Sequence, residues 1–206
     1  MSKDLFTDYF NKNFWQGKES KSGPGSDYEQ TKFLVPELSK LLEDLKIKTI
    51  LDVPCGDFNW MRNINLSGIK YHGGDLVEGV IASNSKKYSR DNISFSVIDI
   101  VKDNLSKVDL LIVRDCFVHL PQKDILKALS NIKKSESKYL LMTNFAWESL
   151  DNNYDIEVGQ WRRLNFIQHP YNFKYPERII IEGNIQSNDR DKTMSLWKIK
   201  DLPSYD

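Results

Sequence analysis

The stretch KTILDVPCGDFNW, residues 48–60, decides the fold. An apolar run ends in an acid, Asp52, and the chain turns at once through Pro54, Cys55 and Gly56 before reaching Asp57, Phe58 and Trp60. A buried strand that closes in a tight turn and reopens as a helix is how an α/β protein builds a small-ligand site at the carboxyl edge of its sheet. The pattern predicts a strand over 48–53 and a short helix near 57–64.

Outward from that stretch, strands and helices alternate. KYHGGDL (70–76), ISFSVIDI (93–100), VDLLIVRDC (108–116) and KYLLMTNFA (138–146) read as strands, with helices over 77–89 and 122–134. Ile125, Leu129 and Ile132 share the inner face of the second helix. Near-continuous apolar strands separated by helices indicate a parallel sheet covered on both faces. RIIIEG (178–183) and KTMSLWKIKDL (192–202) are joined by a loop too short for a crossover helix, so they predict an antiparallel pair at the end of the sheet. Upstream, SDYE (26–29) reads as a capping box with Ser26 as N-cap and Glu29 three residues on. Leu34, Leu38, Leu41, Leu42 and Leu45 then line one helical face, with a kink or restart expected at Pro36.

The bounds are consistent with one enzyme-sized domain. The chain has 206 residues, 40% of them hydrophobic, and its 29 Lys and Arg balance 29 Asp and Glu. Neutrality disfavours a protein whose main partner is nucleic acid, although a local basic patch would escape this count. No apolar run has membrane-spanning length and MSKDLFTDYF is too charged for a signal peptide, so a cytoplasmic location is expected. Two cysteines, Cys55 and Cys116, make neither a disulfide framework nor a four-ligand zinc site, and read as reduced core thiols.

An acid stands at the end of each of four successive strands: Asp52, Asp75, Asp99 and Asp115, spaced by 23, 24 and 16 residues. A carboxylate after the second strand can accept from both hydroxyls of a ribose, which makes Asp75 the candidate for that contact. Asp99 could accept from an adenine amino group. The alternative for each acid taken singly is a cap or turn role.

These residues resemble those of the class I S-adenosylmethionine-dependent methyltransferases, over roughly residues 46–146 and again at the closing strands. The family's first motif is an acid followed by three alternating glycines. Here Asp52, Pro54, Gly56 and Phe58 occupy those positions, so only the middle glycine is kept. The resemblance implies a Rossmann-like, mostly parallel seven-stranded α/β sheet with helices on both faces and a C-terminal antiparallel pair. It further implies S-adenosyl-L-methionine as cofactor and a core over 46–206, preceded by an N-terminal lid and helix over 1–45.

Carried over residue by residue, Asp52 lies near the cofactor's ammonium group and Pro54 and Gly56 form its turn. Asp75 takes the ribose, Leu76 packs on the adenine, and Asp99 with Ile100 reads it. Arg114 and Asp115 stand where the fourth strand meets cofactor and substrate. ESKSGPGS (19–26) could form a nest of N–H groups for the methionine carboxylate, or be a flexible linker. With NFWQGKES (13–20) and Thr31 it resembles a recurring start in a bacterial and viral methyltransferase group, some of them among surface-polysaccharide genes. Trp15, Ser22, Gly23, Gly25, Ser26 and Thr31 are therefore cofactor-site candidates.

Methyl transfer to an alcohol needs a base, and His119 is the natural one, with Asp115 to orient it or touch the acceptor. A helix-start or core role is the alternative for His119, and His72 reads as structural. The segment 147–177, with Trp147, Tyr154, Trp161, Tyr171, Phe173 and Tyr175, is the expected acceptor cover. Arg162, Arg163 and His169 there, and Asp57 after the first turn, are the substrate-binding candidates. Arginine beside aromatics suits a sugar or phosphorylated acceptor. No metal is expected. The reading is O-methylation of a small surface-polysaccharide precursor. Its alternatives are methylation of protein or RNA and a non-catalytic cofactor-binding subunit, while the lost glycines disfavour a nicotinamide dehydrogenase.

Overall fold

The computed structural model describes residues 2–145, 153–182 and 190–205. Trp147 and most of the loop expected between the last two strands lie outside them. The strands are β1 (Thr49–Asp52), β2 (Lys70–Asp75), β3 (Ile93–Val97), β4 (Leu110–Val113), β5 (Tyr139–Phe145), β6 (Arg178–Ile181) and β7 (Lys192–Lys198). They form one seven-stranded sheet in the order β3-β2-β1-β4-β5-β7-β6. β2 pairs parallel with β1 and β3, and β4 with β5. β7 runs antiparallel to both β5 and β6, so the closing hairpin folds back to put the last strand inside the penultimate one. The chain divides into two compact units, Met1–Asp99 and Ile100–Asp206.

In the first unit, α1 (Ser2–Asn11) is followed by α2 (Tyr28–Thr31) and α3 (Leu34–Asp44). Leu34, Leu38, Leu41 and Leu42 are buried on one face of α3, as the heptad-like spacing requires. Pro36 falls in its first turn, where a backbone N–H has no intrahelical partner to lose, so the chain restarts there as a helix after α2. The capping box is not formed. Pro24–Ser26 is a 3-10 turn and Asp27 is the N-cap of α2, with no side-chain cap bond. Asp27 instead turns its carboxylate back onto the N–H groups of Lys18, Glu19 and Ser20, while Glu19 Oε2 accepts from the Tyr28 N–H at 2.9 Å. The helix expected near 57–64 is reduced to a 3-10 turn, Met61–Asn63. β2 needs its glycine at Gly73, where a Cβ would stand 2.7 Å from the Phe95 ring and 3.0 Å from Cys55 Sγ. α4 (Glu78–Tyr88) completes the unit.

In the second unit, α5 (Gln122–Lys134) buries Ile125, Ala128, Leu129 and Ile132, and every residue of β5 is buried. β7 stops at Lys198, earlier than expected, and a 3-10 turn over Ile199–Asp201 follows. No helix among the described residues is long and apolar enough to cross a membrane.

Candidate functional site

The carboxyl ends of β1 and β2 carry Asp52 and Asp75, and both are nearly buried, at 1% and 8% exposed. Tyr71, one strand over, donates its hydroxyl to Asp52 Oδ2 at 2.7 Å. Burial and the neighbouring Asp52 charge push the Tyr71 pKa well up, so the phenol stays a donor. Asp75 Oδ2 accepts from the Gly56 N–H at 3.1 Å and Oδ1 from the Val77 N–H at 2.9 Å. Burial outweighs those bonds and lifts its pKa to about 6. The Leu76 N–H also bonds this carboxylate, and since a carboxylate offers about four acceptor positions, the three backbone bonds leave capacity for a ribose hydroxyl. Leu76, half-buried, follows Asp75, and Asp99, also half-buried, lies two residues past the end of β3.

Between β1 and the Met61–Asn63 turn, Pro54 is half-buried and Cys55 buried. Gly56 has φ +53 and Phe58 φ +62, both left-handed. Asn84 of α4 donates to the Gly56 carbonyl at 2.7 Å, and the Cys55 N–H to the Gly74 carbonyl at 2.7 Å, so the turn is tied to β2 and α4. Burial and then the Asp75 and Asp52 charges push the Cys55 thiol pKa well up, which makes it inert as a nucleophile.

The N-terminal segment lies on this turn. Ser20 donates its hydroxyl to Asp57 Oδ1 at 2.8 Å, the Lys21 N–H donates to Asp57 Oδ2 at 3.0 Å, and the Asp57 N–H donates to Ser22 Oγ at 2.9 Å. Ser26 is buried and its carbonyl accepts from Asn59 Nδ2 at 2.9 Å. At Gly23, φ +106, an added Cβ would stand 3.1 Å from the Trp15 Cβ, and Gly25 lies in the 3-10 turn. Trp15 itself meets Phe6 and Tyr9 of α1. The Thr31 hydroxyl is buried and donates to the Asp27 carbonyl at 3.0 Å.

The second unit holds a different arrangement. Arg114, following β4, is buried and grips Glu182 with two parallel bonds, Nε to Oε1 at 3.0 Å and Nη2 to Oε2 at 2.7 Å. Lys192, which opens β7, donates to Asp115 Oδ2 at 2.6 Å and stands 3.4 Å from Glu182 Oε2. Asp115 has φ +52. Burial pushes its pKa up, but the Lys192 and Arg114 charges outweigh burial and hold the carboxyl well below its usual range. His119 sits at the end of a 3-10 turn, Phe117–His119, and its Nδ1 lies 3.0 Å from the Gln160 carbonyl. A carbonyl can only accept, so Nδ1 carries the proton and the lone pair of the neutral ring is on Nε2. Burial lowers the His119 pKa, opposed by that bond, and keeps the ring neutral near pH 7.

Arg162 is fully buried and its Nη1 donates to the carbonyls of Phe117 and Val118 at 3.2 and 3.4 Å, so it braces the turn that carries His119. Arg163 is half-buried over the Phe145 ring, 5.9 Å from its centroid. His169 is exposed, and Ile100 is buried with its carbonyl accepting from Asn131 Nδ2. His72 lies between the Ser94 and Ser96 hydroxyls at 2.8 and 2.7 Å, a structural setting. Both cysteines are free thiols, Cys55 buried and Cys116 half-buried. Among the described residues no group of three His, Cys, Asp or Glu could hold a metal ion.

Sequence reasoning missed Tyr71, Ser20, Asp27, Glu182, Lys192 and Gln160. Only Glu182 carried a signal, as an acid closing an apolar run in the way Asp52, Asp75 and Asp115 do.

Parallel strands followed by an inserted antiparallel last strand, with acids at the ends of β1 and β2, define the class I S-adenosylmethionine-dependent methyltransferase fold. Solved structures agree. The methyltransferase domain of bacterial CtHen1-CN matches with TM-score 0.60 and 14% identity over 82% of this chain and 98% of that one. The PH0226 protein from Pyrococcus horikoshii OT3 matches with TM-score 0.58 and 16% identity over 82% and 88%. Magnesium protoporphyrin IX methyltransferase from Synechocystis PCC 6803, crystallised with bound SAM, matches with TM-score 0.55 and 15% identity over 76% and 80%. No protein-family model and no curated protein sequence matches the chain.

Proposed function

We propose that the chain is an S-adenosylmethionine-dependent methyltransferase acting on an oxygen of a small acceptor. The observation that carries this reading is Asp75: a nearly buried carboxylate at the end of β2, oriented by the Gly56, Val77 and Leu76 N–H groups, with an acceptor position left for a ribose hydroxyl. Asp52, held by Tyr71, supplies negative charge for the amino group, Leu76 a surface for the adenine, and Asp99 with Ile100 its polar edge. Bound there, the cofactor supplies an electrophilic methyl carbon. His119 takes the acceptor's hydroxyl proton on Nε2 while Nδ1–H stays on the Gln160 carbonyl, which fixes the tautomer as the proton arrives. Asp115 is held ionised by Lys192 and Arg114 and stabilises the imidazolium.

A sugar or phosphorylated precursor of a surface polysaccharide is the acceptor class we favour. The neutral overall charge and the Arg163 guanidinium on the Phe145 ring support it, together with the resemblance of the N-terminal segment. Calorimetry with S-adenosylhomocysteine against NAD tests the first part: S-adenosylhomocysteine binds and NAD does not, and the reverse result refutes the reading. Turnover of S-adenosylmethionine with a panel of nucleotide-sugars tests the second. It falls by at least about a hundredfold in His119→Ala, with S-adenosylhomocysteine affinity unchanged. Turnover only with protein or RNA would replace the acceptor class.

A further inference from the structure

We propose that Asp57 is a positioning residue: it staples residues 20–22 onto the first turn, so that the N-terminal segment closes over a cofactor held by Asp75 and the cofactor leaves when the staple opens. The inference rests on the methyltransferase reading above and deepens it.

The staple is reciprocal. Both carboxylate oxygens of Asp57 accept from the segment, Oδ1 from the Ser20 hydroxyl at 2.8 Å and Oδ2 from the Lys21 N–H at 3.0 Å. Its own N–H is given to Ser22 Oγ at 2.9 Å. The Ser22 N–H donates to Ser20 Oγ at 3.1 Å, so the two serines are set relative to each other before they meet the turn. Asp27 does the same further out. Its carboxylate gathers the N–H groups of Lys18, Glu19 and Ser20, all at 3.0 to 3.1 Å, into one bend. Five backbone or hydroxyl donors of residues 18–21 thus converge on two carboxylates, a geometry that a flexible linker has no reason to adopt.

Contact continues inward. A Cβ on Gly56 would stand 2.5 Å from Ser22 Oγ, so the segment rests directly on that glycine. The Gly56 N–H is the group that donates to Asp75 Oδ2. Segment, turn and ribose-binding carboxylate are therefore consecutive links of one hydrogen-bonded chain. The staple is polar, with Asp57 and Ser22 half-buried and Lys21 exposed around a buried Ser20. Hydrogen bonds of that kind exchange with water at small net cost, and segments held by them open locally without global unfolding. An attachment that is specific and yet cheap to break is what a gate requires. Both oxygens of Asp57 already serve this contact, which accounts for the residue without an acceptor.

The test uses the full chain and S-adenosylhomocysteine as probe, with affinity from calorimetry and dissociation rate from stopped-flow tryptophan fluorescence. Asp57→Ala weakens binding about tenfold, as loss of hydrogen bonds to a charged group does, and the change lies in the dissociation rate. Ser20→Ala costs less, and Ser20→Ala with Asp57→Ala costs no more than Asp57→Ala alone, because both remove one contact. Asp57→Asn, which keeps one acceptor oxygen, falls between wild type and Asp57→Ala, and with Ser20→Ala carries the test should Asp57→Ala not fold. An unchanged dissociation rate in Asp57→Asn and Ser20→Ala, or fully additive losses in the double variant, overturns the staple. Absence of S-adenosylhomocysteine binding by the wild type would instead overturn the functional reading itself.

Discussion

Lowering the pH should loosen the cofactor through Asp75 alone, and the size follows from its burial. The carboxyl titrates at about 6, against 3.8 for an unburied aspartate. Ribose hydroxyls donate to the ionised form, and a protonated Asp75 has lost that acceptor. Affinity for S-adenosylhomocysteine is then flat above about pH 6 and falls about tenfold for each pH unit below it. Between pH 7.5 and pH 5 the dissociation constant rises by about an order of magnitude. The ligand-free protein moves the other way. A raised carboxyl pKa contributes stability that is complete below 3.8 and lost as pH climbs through about 6, so ionising Asp75 costs the empty fold about 3 kcal/mol across that window. Binding and intrinsic stability therefore run in opposite directions over the same interval. Calorimetric titration at half-unit steps from pH 4.5 to 7.5, on wild type and Asp75→Asn, reads the first. A dissociation constant that does not move in the wild type, or that moves equally in Asp75→Asn, refutes the assignment.

Two further substitutions probe what holds the carboxylates. Tyr71→Phe removes the hydroxyl that Asp52 accepts and leaves a buried carboxylate one donor short, so urea unfolding loses about 1–3 kcal/mol and S-adenosylhomocysteine binds more weakly. An unfolding free energy within error of wild type would mean that the bond does not form. Arg114→Ala takes both parallel bonds from the buried Glu182 and leaves it, among the described residues, only Lys192 at 3.4 Å, which costs about 3 kcal/mol in the same assay. Replacing both Arg114 and Glu182 by Met recovers most of that loss, and a double variant as unstable as the single one would show that the pair is not what matters.

Much of this architecture could be read before any coordinates. β1, β2, α4, α5 and the closing hairpin all follow from apolar periodicity, because their side chains sort by burial and little else. α5 begins and ends at Gln122 and Lys134 as its spacing predicts. The acids at strand ends were legible for the same reason: a charge that interrupts an apolar run must lie at the run's edge. What stayed hidden depends on partners distant in sequence. Ser26 read as the N-cap of a capping box, yet Asp27, and not the serine, organises the segment, because its carboxylate meets three N–H groups lying seven to nine residues back. Lys192 and Glu182 reach Asp115 and Arg114 across 77 and 68 residues, a pairing that no local pattern encodes. Arg162 read as a substrate-binding candidate, whereas it is fully buried and caps two carbonyls of the His119 turn, a setting so rare for arginine that no local pattern announces it.

The two glycines missing from the first motif are the sharpest case. A glycine is used where the backbone must enter the left-handed region, which costs other residues about 1–2 kcal/mol. Phe58 stands at the third glycine position and still has φ +62, so the conformation is kept although the residue that makes it cheap is gone. The strain is offset by what the side chain gains. Phe58 is buried against Tyr71, Tyr88 and Phe95, with ring centroids 5.2, 5.2 and 5.3 Å away, and aromatic pairs of that kind add about 0.5–1.5 kcal/mol each beyond burial. Tyr71 in turn presents its hydroxyl to Asp52. The phenylalanine at this position therefore does two things at once: it holds the turn in the glycine conformation, and it packs the ring that orients the first acid of the site. Phe58→Gly relieves the backbone and empties that cluster, so Tyr71 loses the packing that aims its hydroxyl at Asp52.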